Sequence, residues 1–180
     1  INEFFKATCA STEIINIFVK LFNLIFDTGI IPHSWLSGNI HPLFKNKGNQ
    51  QDPQNYRPIT ILSCFGKLFT SILNERLTKY FENFSIIHNN QSGFRKKYST
   101  TDNIFILQSL FDLARSQKKK LFCVFIDFAK AFDTVWRNGL WFKMALNHID
   151  GKMHTVIHSM YNNIKSRVIY NNQKSDFFPM

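Results

Sequence analysis

Asp127 follows six consecutive apolar residues, Leu121–Ile126, and opens the segment Asp127-Phe128-Ala129-Lys130-Ala131-Phe132-Asp133. Burying an unpaired carboxylate is costly, so an acid at the end of such a run needs water, a counter-charge or a cation. A structural ion pair or cap and a divalent-metal ligand are both open to Asp127 on this pattern alone. Asp133, just before Thr134-Val135-Trp136, reads as a helix N-cap. Phe128 and Phe132 read as packing residues. The other chemistry-bearing side chains are basic. Lys45 and Arg57 bracket a polar stretch, and Arg95 lies in Phe94-Arg95-Lys96-Lys97-Tyr98, where rings interleave with cations. Such interleaving suits a polynucleotide, with bases stacking on rings while charges meet the backbone. For any one of these cations a solvated surface position is the commoner role.

The elements that must hold these residues follow from hydrophobic periodicity. Ser11 or Thr12 caps an expected helix with Ile14, Ile17, Phe18, Leu21, Leu24 and Ile25 at helical spacing, ended by Gly29 and Pro32. Ile40–Phe44 and Tyr56–Leu62 suit two strands of a hairpin, with Lys45–Asn55 as its long tip. Helical spacing returns at Phe69, Ile72, Leu73, Leu77, Tyr80 and Phe81, and again at Ile104, Leu107, Phe111 and Ala114 after Ser99-Thr100-Thr101. Leu121–Ile126 has the pattern of a central strand covered on both faces, delivering Asp127 at its end. Trp136–Ile149 and Met153–Ile164 read as helices parted by Asp150-Gly151, and Arg167–Tyr170 as a further strand. The sum is one α+β unit.

Composition narrows the partners. Lys and Arg outnumber Asp and Glu by 22 to 12, a formal charge of +10, which favours a polyanion: nucleic acid first, an anionic membrane surface second. Apart from Lys118-Lys119-Lys120, read as a solvated helix end, the cations are scattered over what should be a folded surface. Hydrophobic residues make up 44%, enough for an ordinary core and against intrinsic disorder. Most of the 20 Phe residues, with Trp35, Trp136 and Trp141, fall on apolar faces and read as core. Cys9, Cys64 and Cys123 have neither metal-ligand nor disulfide spacing, so an intracellular, reducing compartment is the expectation, nucleus and cytoplasm undistinguished. The longest apolar stretch, Ile14–Phe26, is broken by Asn16, Lys20 and Asn23 and is too short for a bilayer; no membrane association and no targeting signal are expected.

Four motifs in order carry a resemblance. Pro42-Leu43-Phe44-Lys45-Asn46-Lys47-Gly48 comes first, then Asn55-Tyr56-Arg57-Pro58-Ile59-Thr60-Ile61-Leu62-Ser63 with Phe65-Gly66-Lys67-Leu68. Gln91-Ser92-Gly93-Phe94-Arg95 with Ser99-Thr100-Thr101-Asp102 follows, and Phe125–Asp133 closes the series. Together they resemble the reverse transcriptase domain of LINE-type (non-LTR) retrotransposons, from about Ile31 to Phe178. The resemblance implies a partial right-hand polymerase fold. Residues 1–120 would be a mostly helical, fingers-like region with a basic hairpin, and residues 121–180 the first palm strand with its helices. It implies an RNA-directed DNA polymerase, a nucleotidyltransferase with an RNA template, a DNA primer, deoxynucleoside triphosphates and two Mg²⁺ ions. Asp127 would be the catalytic metal ligand, and Phe132, beside Phe128, would lie beneath the incoming sugar and exclude a 2′-hydroxyl. Lys45 and Arg57 would hold the triphosphate, and Arg95 a phosphate or the template.

The family's second carboxylate group comes from an Asp-Asp hairpin, and no adjacent Asp pair occurs in the 180 residues. Beyond Asp133 the acids are Asp150 and Asp176. With Ile1 as the first residue, the expectation is an incomplete fragment, inactive alone. The alternatives are a non-catalytic nucleic-acid-binding remnant of such an element and a helical protein-interaction module.

Overall fold

The computed structural model describes residues 11–180 and divides into two compact units: residues up to Leu73 together with Asn138–Met180, and Asn74–Arg137. Cys9 lies outside the described residues. Helices and a small sheet make it mixed α and β, as the sequence implied. No helix among the described residues is long and apolar enough to cross a membrane.

Among the described residues the first helix of the first unit is α1 (Thr12–Thr28). The Ser11 hydroxyl accepts from the Ile14 amide, and Gly29, at φ 70, ends the helix by donating to the Ile25 carbonyl. Gly29 is also a close approach, since a Cβ there would stand 2.8 Å from Thr155 Cγ2. The buried stripe of α1 differs from the expected one. Phe22 and Ile25 are buried and Phe18 and Phe26 pack beside them, whereas Ile17 and Leu24 face outward. They meet Phe69 and Leu73 of α2 (Cys64–Asn83) and Val156 of α5 (Gly151–Met160), with Trp35 against both Phe22 and Phe69. Between lies α4 (Arg137–Leu146), so Asp133 is four residues short of the helix it was expected to cap. Met144 and Ile149 are buried at its end.

The sheet of this unit has β1 (Ser37–Phe44) at its centre, antiparallel to β2 (Tyr56–Ile61) and parallel to β3 (Lys165–Tyr170). β3 turns back through Asn171 and Asn172, both at positive φ as a two-residue hairpin requires, into β4 (Gln173–Lys174). β5 (Phe178–Pro179) pairs with the start of β3. Gly38 sits where a Cβ would be 2.7 Å from Thr60 Cγ2 and 3.1 Å from Ser166 Oγ, so three strands close over a bare backbone position.

The second unit holds the last turns of α2, a loop, α3 (Thr100–Ser116) and an extended segment to Arg137. Ser99 and Asp102 form a reciprocal capping box at the start of α3. Two expectations fail here. None of the core residues falls in this unit, so the apolar residues of α3, Ile104, Phe105, Leu110 and Phe111 among them, stand exposed. Leu121–Ile126 is not a strand: no described strand pairs with it, and Phe122 is 86% and Ile126 80% exposed. A run with apolar residues on both faces forms a strand when neighbours supply hydrogen-bond ladders and cover. These residues have neither, and Cys123 is exposed with them.

Candidate nucleotide site

The hairpin aligns its two cations. Leu43 pairs with Arg57, and the Lys45 amide donates to the Asn55 carbonyl at 2.8 Å, so Lys45 and Arg57 occupy diagonal positions on one sheet face. Their surroundings differ. The Lys45 ammonium turns back on the Gln54 carbonyl at 2.7 Å, while the exposed Arg57 fork has no side-chain partner among the described residues. The tip is held by its own polar groups: Asn55 Nδ2 donates to the Asn49 carbonyl, and the Gln54 amide to Asp52 Oδ1. Tyr56 donates its hydroxyl to the Gln50 carbonyl, and burial, with the neighbouring Tyr170 hydroxyl, pushes its pKa upward. The hairpin is thus a stiff arm presenting a free planar fork.

In the second unit, Asp127 is exposed in the extended segment, with no hydrogen bond or ion pair among the described residues. Phe128 and Phe132 are exposed as well, so the packing reading of these two rings does not hold. Phe132 presents itself in a turn in which the Lys130 carbonyl accepts from the Asp133 and Thr134 amides, with Lys130 itself at φ 52. Its ring lies edge-on to Phe94, centroids 6.4 Å apart and planes at 87°. Phe94 is 93% exposed and also left-handed, at φ 62.

Arg95 points the other way. Its Nε and one terminal nitrogen grip the two Glu82 oxygens at 2.9 and 2.7 Å, and its other terminal nitrogen reaches the His88 and Gln91 carbonyls. The guanidinium lies 4.5 Å over the Tyr98 ring, leaving the side chain 8% exposed. The hydrogen bond to Arg95 holds the Glu82 carboxyl below the usual range, and the same bond holds Arg95 protonated beyond its ordinary value. An arginine engaged on every side positions a loop and has no fork left for a phosphate. Lys96 pairs with Glu75 in the same manner, lowering that carboxyl too. Neither glutamate was visible as a partner in the sequence, because each lies on the preceding helix, 13 and 21 residues away.

Among the described residues no group of three or more His, Cys, Asp or Glu side chains is arranged to hold a metal ion. Asp127 offers one exposed carboxylate, which fits one ligand of an oxygen-coordinated cation that keeps water and substrate oxygens for the rest.

A family profile described as reverse transcriptase (RNA-dependent DNA polymerase) matches residues 44–179. Among curated proteins, the chain is 32% identical over 67% of its length to the probable RNA-directed DNA polymerase from transposon BS of Drosophila melanogaster. It is 27% identical over 89% of its length to the RNA-directed DNA polymerase from mobile element jockey of the same fly. To the retrovirus-related Pol polyprotein from type-1 retrotransposable element R2 of Popillia japonica it is 34% identical over 59%. These matches cover 13%, 17% and 14% of the relatives' own lengths, so the chain corresponds to a small part of each.

Proposed function

The chain belongs to the family of reverse transcriptases (RNA-dependent DNA polymerases), and on that premise we propose that it supplies the fingers and the opening of the palm of a right-hand polymerase from a non-LTR retrotransposon. Residues 1–120 are the fingers-like region and residues 121–180 the partial palm. The intact protein adds deoxynucleotides to a DNA primer on an RNA template.

The observation that carries this reading is Asp127: within the family-matched segment, its carboxylate stands exposed and unclaimed by any arginine or lysine among the described residues. Asp127 would hold Mg²⁺, which when bound supplies activation of the attacking hydroxyl and neutralises the departing phosphates. Phe132, with Phe128 beside it, bars a 2′-hydroxyl by occupying its space. Arg57 offers two parallel donors to the triphosphate, and Lys45 joins it once its ammonium leaves the Gln54 carbonyl. Positioning and charge neutralisation are most of what phosphoryl transfer asks of a protein. Arg95 contributes by holding the loop that carries Phe94. A two-ion site needs further carboxylates, and with no Asp pair in these residues the reading draws them from elsewhere in the intact protein.

The test is primer extension on an RNA template by the intact protein with Mg²⁺. Asp127→Asn is expected to lower kcat by about 100-fold or more while primer–template binding persists. An undiminished rate overturns the assignment; primer extension by the 180-residue chain alone would overturn only the need for carboxylates from elsewhere in the intact protein.

A further inference from the structure

The strand register puts more cations on the hairpin's charged face than the family motifs name. β1 pairs Asn39 with Ile61 and His41 with Ile59 on one side, and Ser37 with Lys165 and Asn39 with Arg167 on the other. Side chains alternate, so Lys45, Arg57, Lys165 and Arg167 share one face with His41, and the opposite face holds the buried Gly38, Ile40 and Ser166. Arg167 confirms the parity: its Nε donates to Asn39 Oδ1 at 2.8 Å, and its guanidinium lies 4.8 Å over Phe177. Those contacts fix the fork and leave its terminal nitrogens without a protein partner among the described residues. Lys165 is exposed and equally free. No acidic residue occurs in β1, β2 or β3. Leu43, Ile59 and Ile61, each about half exposed, make an aliphatic floor between the charges.

Spacing decides what this face takes. Lys165 and Arg167 are about 7 Å apart along β3, while Arg57 and Arg167, two strands and four residues removed, are about 16 Å apart at the backbone. One triphosphate does not bridge that separation, but successive phosphates of a polynucleotide do. We propose that Lys165 and Arg167 extend the Lys45–Arg57 face into a track for the sugar–phosphate backbone of a single nucleic-acid strand. The occupant follows from charge complementarity, four cations and no acid on the strands, and the proposal rests on the polymerase reading for the presence of such a strand.

The test uses the 180-residue chain and a fluorescently labelled oligo(dT), with affinity measured by anisotropy across a salt series. Lys165→Gln is expected to weaken binding several-fold and to flatten the dependence of log K on log salt by about 0.7, the contribution of one phosphate on a single strand. Lys165→Gln with Arg167→Lys, which keeps the second charge, should match Lys165→Gln alone, and adding Arg167→Gln instead should flatten the slope further. Unchanged affinity and slope in the Lys165→Gln, Arg167→Gln chain with its circular dichroism intact overturn the track. So does binding confined to phosphatidylserine–phosphatidylcholine vesicles. Thymidine triphosphate binding separates the two readings: Arg57→Gln should weaken it and Lys165→Gln should not. Loss of the polymerase assignment with a persisting Lys165 effect on oligo(dT) would leave the track standing.

Discussion

An arginine fork closed on a carboxylate does structural work, and Arg95 closed on Glu82 does it for a loop that carries an exposed ring. The pair is partly buried on the arginine side and open on the glutamate side, so solvent screens part of its strength. Its sign with pH is still definite. Glu82 titrates below the ordinary glutamate value because Arg95 donates to its charged form, and Glu75 does so because of Lys96 first and Lys79 second. A carboxyl with a depressed folded pKa contributes stability that is complete above the ordinary value and disappears as pH falls through the folded one. The loop between α2 and α3 should therefore hold its conformation at neutral pH and loosen in acid. The Tyr98 ring under the guanidinium reports it: its proton resonances should move as pH drops below about 4.5. In Glu82→Gln the Arg95-dependent part of that transition should vanish. Tyr98 resonances that are the same in the wild-type chain and in Glu82→Gln at neutral pH would show that the ion pair does not hold the loop.

At the level of elements, Leu121–Phe128 is the place where local pattern and tertiary surroundings part company. Its β-branched and aromatic residues encode a strand, yet among the described residues nothing pairs with it, and an exposed apolar run is a docking and aggregation hazard. The chain should bind a hydrophobic dye and self-associate with rising concentration, and Val124→Lys should reduce both without changing the helical circular dichroism. Equal association of the two proteins in light scattering would mean that the run is not the sticky element. Elements whose signals are local were legible beforehand. Ser11 and Gly29 bound α1, Ser99 starts α3, and the polar tip between Phe44 and Tyr56 closes the hairpin. What depended on distant residues was not: the buried side of α1, the Glu82 partner of Arg95, and the parallel pairing that brings Arg167 beside Asn39, 128 residues away. Candidate residues could be named from type and motif, since Asp127, Phe132 and Arg57 are recognisable in sequence. Their exposure, the edge-on contact of Phe132 with Phe94, and the lack of a side-chain partner for Asp127 and Arg57 among the described residues are tertiary facts.

Across the whole molecule, stability is divided as unevenly as burial. Among the described residues every buried apolar side chain belongs to the unit that holds α1, the first part of α2, α4, α5 and the sheet, with Val156 fully buried and Phe69 nearly so. The Asn74–Arg137 unit rests on ion pairs, a capping box and helix hydrogen bonds, which are individually weak when exposed. Its amides should consequently exchange with deuterium well before those of α1 and α5, since local opening there exposes little new apolar surface. Substitution should follow the same division. Phe69 touches Phe22 and Trp35 at ring-centroid distances of 5.4 and 5.7 Å, and Phe69→Ala leaves a cavity among α1, α2 and α5 that costs about 3–5 kcal/mol. Phe122→Ala removes an equally large ring from solvent and should change stability by no more than about 0.5 kcal/mol. Urea unfolding followed by circular dichroism measures both. A Phe122→Ala loss comparable to that of Phe69→Ala would mean that the extended segment is packed in solution, and would return Leu121–Ile126 to the covered strand that its sequence describes.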